Sequence, residues 1–293
     1  PNDPPPELAA VLAPEAGGRC LDLGGLHPAE VHELAARALD VDELPPSLER
    51  LLLERAEGNP LYTSELVGAL VAMGALRRDG RRCRLQDEGL EGLRLPDTVQ
   101  GAVTSRLDRL EPHQQLTLKV ASVVGRSFPF QVTHDVHPVV AVRPRVAEHL
   151  ENSVLQGLIS VELPEPANVY RFQHSVTQQV AYDLLAHSQR REIHSAVARW
   201  YEHAPVEDRG SQLARLAYHW QRAGDRTRTL RYCTLAGEHA AARGATKEAI
   251  DFLRAAVKLF ELGESPGGDH DELLLRVRTR RRLGEAYASV SES

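Results

Sequence analysis

Apolar residues in this 293-residue chain recur mostly at spacings of three and four, in segments cut short by proline and glycine. That pattern commits most of the chain to short amphipathic helices. From His27 to Leu76 the period is helical, with Val31, Leu34, Ala35, Ala38 and Leu39 as the first stripe. Pro28 and Glu30 sit early in that helix, where a missing N–H costs nothing and an acid faces the positive end of the dipole. Pro45-Pro46 breaks it, and Leu48, Leu51 and Leu52 mark the next. Gly58-Asn59-Pro60 stops the second helix, because glycine can close it in a left-handed conformation and proline keeps Asn59 out of the helical region. A longer helix follows, carrying Leu61, Glu65, Leu66, Ala69, Leu70 and Met73. Leu76 to Leu85 then reads as a hairpin turning at Asp79-Gly80.

Pro96 opens a second region. Asp97 or Thr98 can cap a helix through Val99, Val103, Leu107 and Leu110, and Glu111-Pro112 separates it from another running to Val124. A helix ending near Gly157 leads into Leu158–Leu163, a turn at 164–168, and Val169–Phe172, which together predict a β-hairpin. Helices followed by a hairpin predict a winged-helix domain over 95–205. Beyond Pro205 no strand pattern occurs. Arg228–Ala242 and Thr246–Leu262 predict antiparallel helices joined at Gly244, with small residues such as Ala236, Gly237, Ala240, Ala249 and Ala256 where helices approach. Leu283–Tyr287 restarts a similar pattern, so 206–293 is expected to be an α-solenoid of TPR-like repeats, about 34 residues each. The fold class expected is mainly α.

Composition narrows the function classes. Hydrophobic residues at 42 % and charged residues at 26 % exclude wholesale disorder. No apolar run approaches the roughly 18 residues of a spanning helix, so a cytoplasmic protein without a membrane partner is the simplest reading. Cys20, Cys83 and Cys233 lack paired spacing, which predicts neither a disulfide framework nor a zinc site. The net charge of −6 disfavours a nucleic-acid surface, and the predicted reading segment Val146–Gly157 carries Glu148 and Glu151 rather than a basic face. Lysine occurs only at Lys119, Lys247 and Lys258, and the excess of arginine reads as the base composition of a GC-rich bacterial genome.

Several segments in order resemble the STAND class of signalling ATPases, in particular the ATPase-plus-repeat region of bacterial class III adenylate cyclases and related kinase-linked or LuxR-type regulators. They are Glu57-Gly58-Asn59-Pro60-Leu61-Tyr62 with Glu65-Leu66, Leu95-Pro96-Asp97-Thr98-Val99-Gln100 with Arg106-Leu107-Asp108-Arg109-Leu110, and Ala121 to Phe128. Tyr170 to Val176 with Val180-Ala181-Tyr182, His219-Trp220 with Ala223-Gly224-Asp225, and Ala236-Gly237-Glu238 complete the set. Arg19–Leu23 alternates in the manner of a short strand, and the resemblance implies the end of a truncated P-loop ATPase core over 1–26. It further implies a helical lid over 27–94, the winged helix at 95–205 and sensor repeats at 206–293. In such proteins the lid proline packs beside adenine, which makes Gly58, Asn59 and Pro60 candidate nucleotide-binding residues. The resemblance likewise makes His174 a candidate contact to the β-phosphate of ADP, with Ser175 standing where the family has an acid.

The sequence has no G-x-x-x-x-G-K-[ST] loop and no apolar strand ending in paired acids. ATP or ADP is therefore expected only together with a core outside this chain, no metal is expected, and the chain alone is not expected to be an enzyme. The expected partners are the ATPase core and output domain of the same polypeptide, the parent being cyclase-linked, plus a protein or peptide ligand on the repeats. A stand-alone repeat scaffold or winged-helix transcription regulator is the alternative. Blander readings hold for the remaining features: His134 and His137 lack a third ligand, and Tyr218, His219, Trp220, Tyr232 and Phe252 read as solenoid core and groove, with a peptide or partner surface as the alternative. Arg77, Arg78, Arg81, Arg82 and Arg84 read as a solvated wing or an interdomain contact.

Overall fold

The computed structural model describes residues 23–85, 98–205, 208–261 and 270–291. The strand expected over Arg19–Leu23 lies outside them save for Leu23, which has no regular structure, and Cys20 and Asp97 lie outside as well. The described chain is mainly helical, with thirteen α-helices and five short strands. It divides into two compact units, Pro1–Arg106 and Leu107–Ser293. That division falls inside a helix, and it does not separate the expected 95–205 and 206–293 regions from each other.

In the first unit, helices α1 (Pro28–Leu39), α2 (Pro46–Ala56) and α3 (Pro60–Ala72) lead into the hairpin strands β1 (Leu76–Asp79) and β2 (Arg82–Leu85). Helix α4 (Val99–Asp108) begins in this unit, capped by the Thr98 hydroxyl, which accepts the Gly101 N–H at 3.0 Å. The core gathers Val31, Ala35 and Leu39 of α1, Leu48 and Leu52 of α2, and Leu66, Val67 and Leu70 of α3, with Cys83 and Ala102. Burial of these faces, rather than intrinsic helix propensity, holds helices this short together.

One polar pair lies inside that apolar set. Glu65 of α3 and Arg106 of α4 form an ion pair at 2.5 Å with side chains 1 % and 10 % exposed. Gly68 makes the room: a Cβ there would stand 2.9 Å from the Arg106 guanidinium carbon. A desolvated pair contributes little by itself, yet removing one member strands the other charge in low dielectric.

The second unit continues with α5 (Pro112–Val124), β3 (Ser127–Pro129), α6 (Phe130–Val136), α7 (Val146–Leu155), β4 (Ile159–Leu163), β5 (Val169–Phe172) and α8 (Ser175–Asp183). The strands form an antiparallel sheet of order β3-β5-β4, in which Phe128 faces Tyr170 and Ile159 faces Phe172. Phe128 and Phe172 are fully buried with ring centroids 5.3 Å apart. The hairpin predicted at 158–172 is thus present, and the sheet has a third strand that its local sequence does not advertise.

From α9 (His187–His203) onward, α10 (Arg209–Ala223), α11 (Arg226–Ala242), α12 (Thr246–Glu261) and α13 (His270–Ser291) pack successively. The predicted helix pair matches α11 and α12 closely. Leu283–Tyr287, expected to restart a repeat, lies within the single helix α13. Asp208 and Asp225 cap α10 and α11 with their carboxylates, and Ala236, Ala240, Ala249 and Ala256 are buried where the helices meet.

Arg106→Ala is expected to destabilise the first unit by about 3–5 kcal/mol, whereas Glu65→Leu with Arg106→Met together cost much less. Urea unfolding of both variants tests this, and equal losses would remove the buried pair from the account.

Candidate functional site

Helix α2 ends in two consecutive left-handed residues, Glu57 (φ 48°) and Gly58 (φ 76°). Gly58 is required there twice over, by its backbone conformation and by a close approach. Its carbonyl accepts the Leu26 N–H at 2.8 Å, and a Cβ would stand 2.8 Å from the Leu26 carbonyl oxygen. The segment preceding α1 is thereby laid against the turn. Asn59 is the N-cap of α3: its Oδ1 accepts the Tyr62 N–H at 3.0 Å, and its carbonyl accepts from the Thr63 N–H and hydroxyl, each at 2.9 Å. Pro60 occupies the first helical position and is exposed, so its ring does not serve the core.

His174 belongs to the second unit. It is half-buried at the N-cap position of α8, directly after the β4–β5 hairpin, and its carbonyl accepts the Thr177 N–H at 3.1 Å. Ser175 is the first residue of the helix. Gly58, Asn59 and Pro60 are therefore brought together as one rigid turn, whereas His174 sits on the other unit. The turn presents an apolar ring on a fixed backbone, which suits a flat ligand face and offers no group for proton or phosphoryl transfer.

The second unit holds three further features. A cavity of about 740 Å³ lies between α10 and α12, floored by Ala214, Ala217, Tyr218, Phe252 and Ala255, with Lys247 and Asp251 beside it. Its floor is apolar and its rim carries Lys247, Glu248 and Asp251, and its size lies in the range of small-ligand pockets. His194 of α9 and His219 of α10 are buried and hydrogen-bonded Nδ1 to Nδ1 at 2.9 Å, while His194 Nε2 is hydrogen-bonded to the Tyr182 hydroxyl at 3.1 Å. Burial, then the neighbouring His219, Arg222 and Arg190, pushes the His194 imidazole down to about 3. Burial followed by Arg215 pushes His219 down to about 4. Trp200 donates its indole N–H to Asp135 at 2.9 Å, an acid also held by Gln131 and His134.

His134 and His137 do not converge. His134 bonds Asp135, whereas His137 is fully buried near Thr117, its basicity lowered by burial. Among the described residues no group of three or more His, Cys, Asp or Glu side chains is placed to hold a metal, and no helix is long and apolar enough to cross a membrane.

Comparison of the chain with family models, curated proteins and solved structures finds no match.

Two expectations follow. Gly58→Ala should destabilise the first unit by at least about 1–2 kcal/mol and Asn59→Ala by about 1, whereas Pro60→Ala should stay within about 0.5. Thermal unfolding distinguishes them, and a large loss in Pro60→Ala would make that ring structural. The His194–His219 pair binds protons more readily when unfolded, since its folded-state basicity lies below the ordinary 6.5. Its stabilisation is therefore complete above about pH 6.5 and declines as pH falls toward 4 and 3. His194→Gln should flatten that decline in urea titrations, and an unchanged slope in it and in His219→Gln would clear the pair.

Proposed function

We propose that this chain is the regulatory portion of a nucleotide-switched signalling ATPase of the STAND class, acting in the cytoplasm with a core and an output domain of the same polypeptide. In this reading residues 27–94 are the helical lid, 95–205 supply a winged-helix arrangement, and the helices after Pro205 are TPR-like sensor repeats. ATP or ADP is bound against a P-loop core, with the Pro60 ring as an adenine wall and His174 as a phosphate contact.

The observation that carries this proposal is the construction of the Gly58-Asn59-Pro60 turn. Its glycine and asparagine are consumed by backbone geometry and capping, while the proline ring is left exposed on a rigid support. A wall of that kind binds a flat base without ordering a mobile side chain, which lowers the entropic cost of the contact. The placement of His174 between a hairpin and the first turn of α8 supports its role, because helix N-termini favour phosphate. The cavity between α10 and α12 supports a protein or peptide ligand on the repeats. Switching would follow from competition: nucleotide favours one arrangement of lid and core, and a ligand that binds the repeats better in another opposes it.

The test uses the protein joined to its nucleotide-binding core. Pro60→Ala and His174→Ala are each purified and their retained ADP is measured after gel filtration. Both should lose nucleotide at least about tenfold faster, while unfolding as the parent does. The 293-residue chain alone, measured beside them, should retain none. Unchanged retention in both variants would sink the site assignment.

A further inference from the structure

The β1–β2 hairpin has two unlike faces. Leu76 and Cys83 point inward, each 7 % exposed, while Arg77, Arg82 and Arg84 stand exposed on the outer side. The register sets Arg77 directly opposite Arg84, and Asp79 opposite Arg82. Like charges facing across strands are destabilising, and here the pair has no carboxylate bound to it among the described residues. Arg81 at the turn behaves differently. Its guanidinium is bidentate on Asp42, with Nε donating to Oδ2 at 2.8 Å and Nη2 donating to Oδ1 at 2.5 Å.

The two edges of the hairpin also differ. The outer edge of β2 is met at its start, where Asp42 donates its N–H to the Arg81 carbonyl at 2.9 Å and Glu43 bridges to Arg82. The outer edge of β1, Leu76–Asp79, meets no strand among the described residues. An open edge offers backbone donors and acceptors in a row, and it lies beside the face that carries Arg77 and Arg84.

We propose that this edge and face bind an extended acidic segment of a partner polypeptide by strand addition. Backbone hydrogen bonds to β1 supply the register. Alternate side chains of the added strand fall on the outer face every ~6.8 Å, where carboxylates meet Arg77 and, across one more ~4.8 Å strand spacing, Arg84. Arginine suits the task because its planar fork grips a carboxylate through two parallel hydrogen bonds. A nucleic acid would satisfy the guanidinium groups but leave the β1 edge unpaired, so the combination favours polypeptide.

The probe is a fluorescein-labelled peptide of alternating glutamate and valine, titrated with the full chain at moderate salt and read by fluorescence polarisation. It should bind, and a version N-methylated on its pairing backbone should bind at least about tenfold more weakly. Arg77→Glu with Arg84→Glu should weaken the glutamate peptide by at least about tenfold and favour the matching lysine–valine peptide instead. Circular dichroism confirms that the variant is folded, and Arg77→Gln with Arg84→Gln repeats the test without new charges. No measurable binding, equal binding of the N-methylated peptide, or tighter binding of a single-stranded oligonucleotide of equal charge would each overturn the proposal.

Discussion

Every α-helix leaves backbone donors at its start and acceptors at its end without partners inside the helix, and a chain built from short helices meets that demand at every turn. The connections answer it with a small set of devices. Asn59, Thr98, Asp208 and Asp225 accept N–H groups at helix starts, and Asp40, Glu57 and Gly224 turn left-handed at helix ends. The Gly58-Asn59-Pro60 turn combines these: it ends one helix, starts the next and receives the N–H of Leu26. Its rigidity is therefore a by-product of capping, and the exposed proline ring inherits a fixed position at no added ordering cost.

The second constraint is the treatment of polar groups that the helices bury. Glu65 and Arg106 neutralise each other, and Gly68 exists at its position to admit the guanidinium. His194, His219 and Tyr182 form a chain of hydrogen bonds that cannot survive protonation of both rings, which would set one Nδ1–H against the other, with Arg190, Arg215 and Arg222 around them. Thr117 bonds His149 Nδ1 at 2.9 Å, while His149 Nε2 lies 3.6 Å from Glu111 Oε2 without a hydrogen bond. These clusters tie particular helices to particular neighbours, something an apolar stripe alone does loosely.

Local signals in the sequence located the helices, since proline, glycine and capping residues act within a turn of where they stand. Thr98 is a cap, and both hairpins lie where alternation and turn residues placed them. The misses are non-local. Strand β3 is three residues long and owes its existence to β5, some 40 residues away, so no periodicity within Ser127–Pro129 could announce it. Glu65 was read as one member of an apolar stripe and Arg106 as part of a motif, and their pairing spans 41 residues. Of the candidate site, the turn was legible because its chemistry is local to three residues. His194 and His219 were not, because a histidine on an apolar stripe looks the same whether its neighbour is leucine or a second imidazole.

Arginine shows how far composition can mislead when it is read before geometry. Its excess over lysine looks like genomic bias, yet the side chain meets four different electrostatic settings in this fold. Arg106 is buried against a carboxylate, and Arg81 is exposed but bidentate on one. Arg228 lies over the Trp220 ring at 4.2 Å, and Arg190 over Tyr182 at 4.6 Å. A compact, strongly hydrated ammonium would serve the first three kinds of contact poorly, because it lacks the planar fork and resists desolvation. Arg77 and Arg84 are the fourth case, facing each other with no carboxylate bound to either among the described residues. Beside arginines that hold a carboxylate or an aromatic ring, two opposed guanidinium groups at an open strand edge stand out as chemistry waiting on a second molecule.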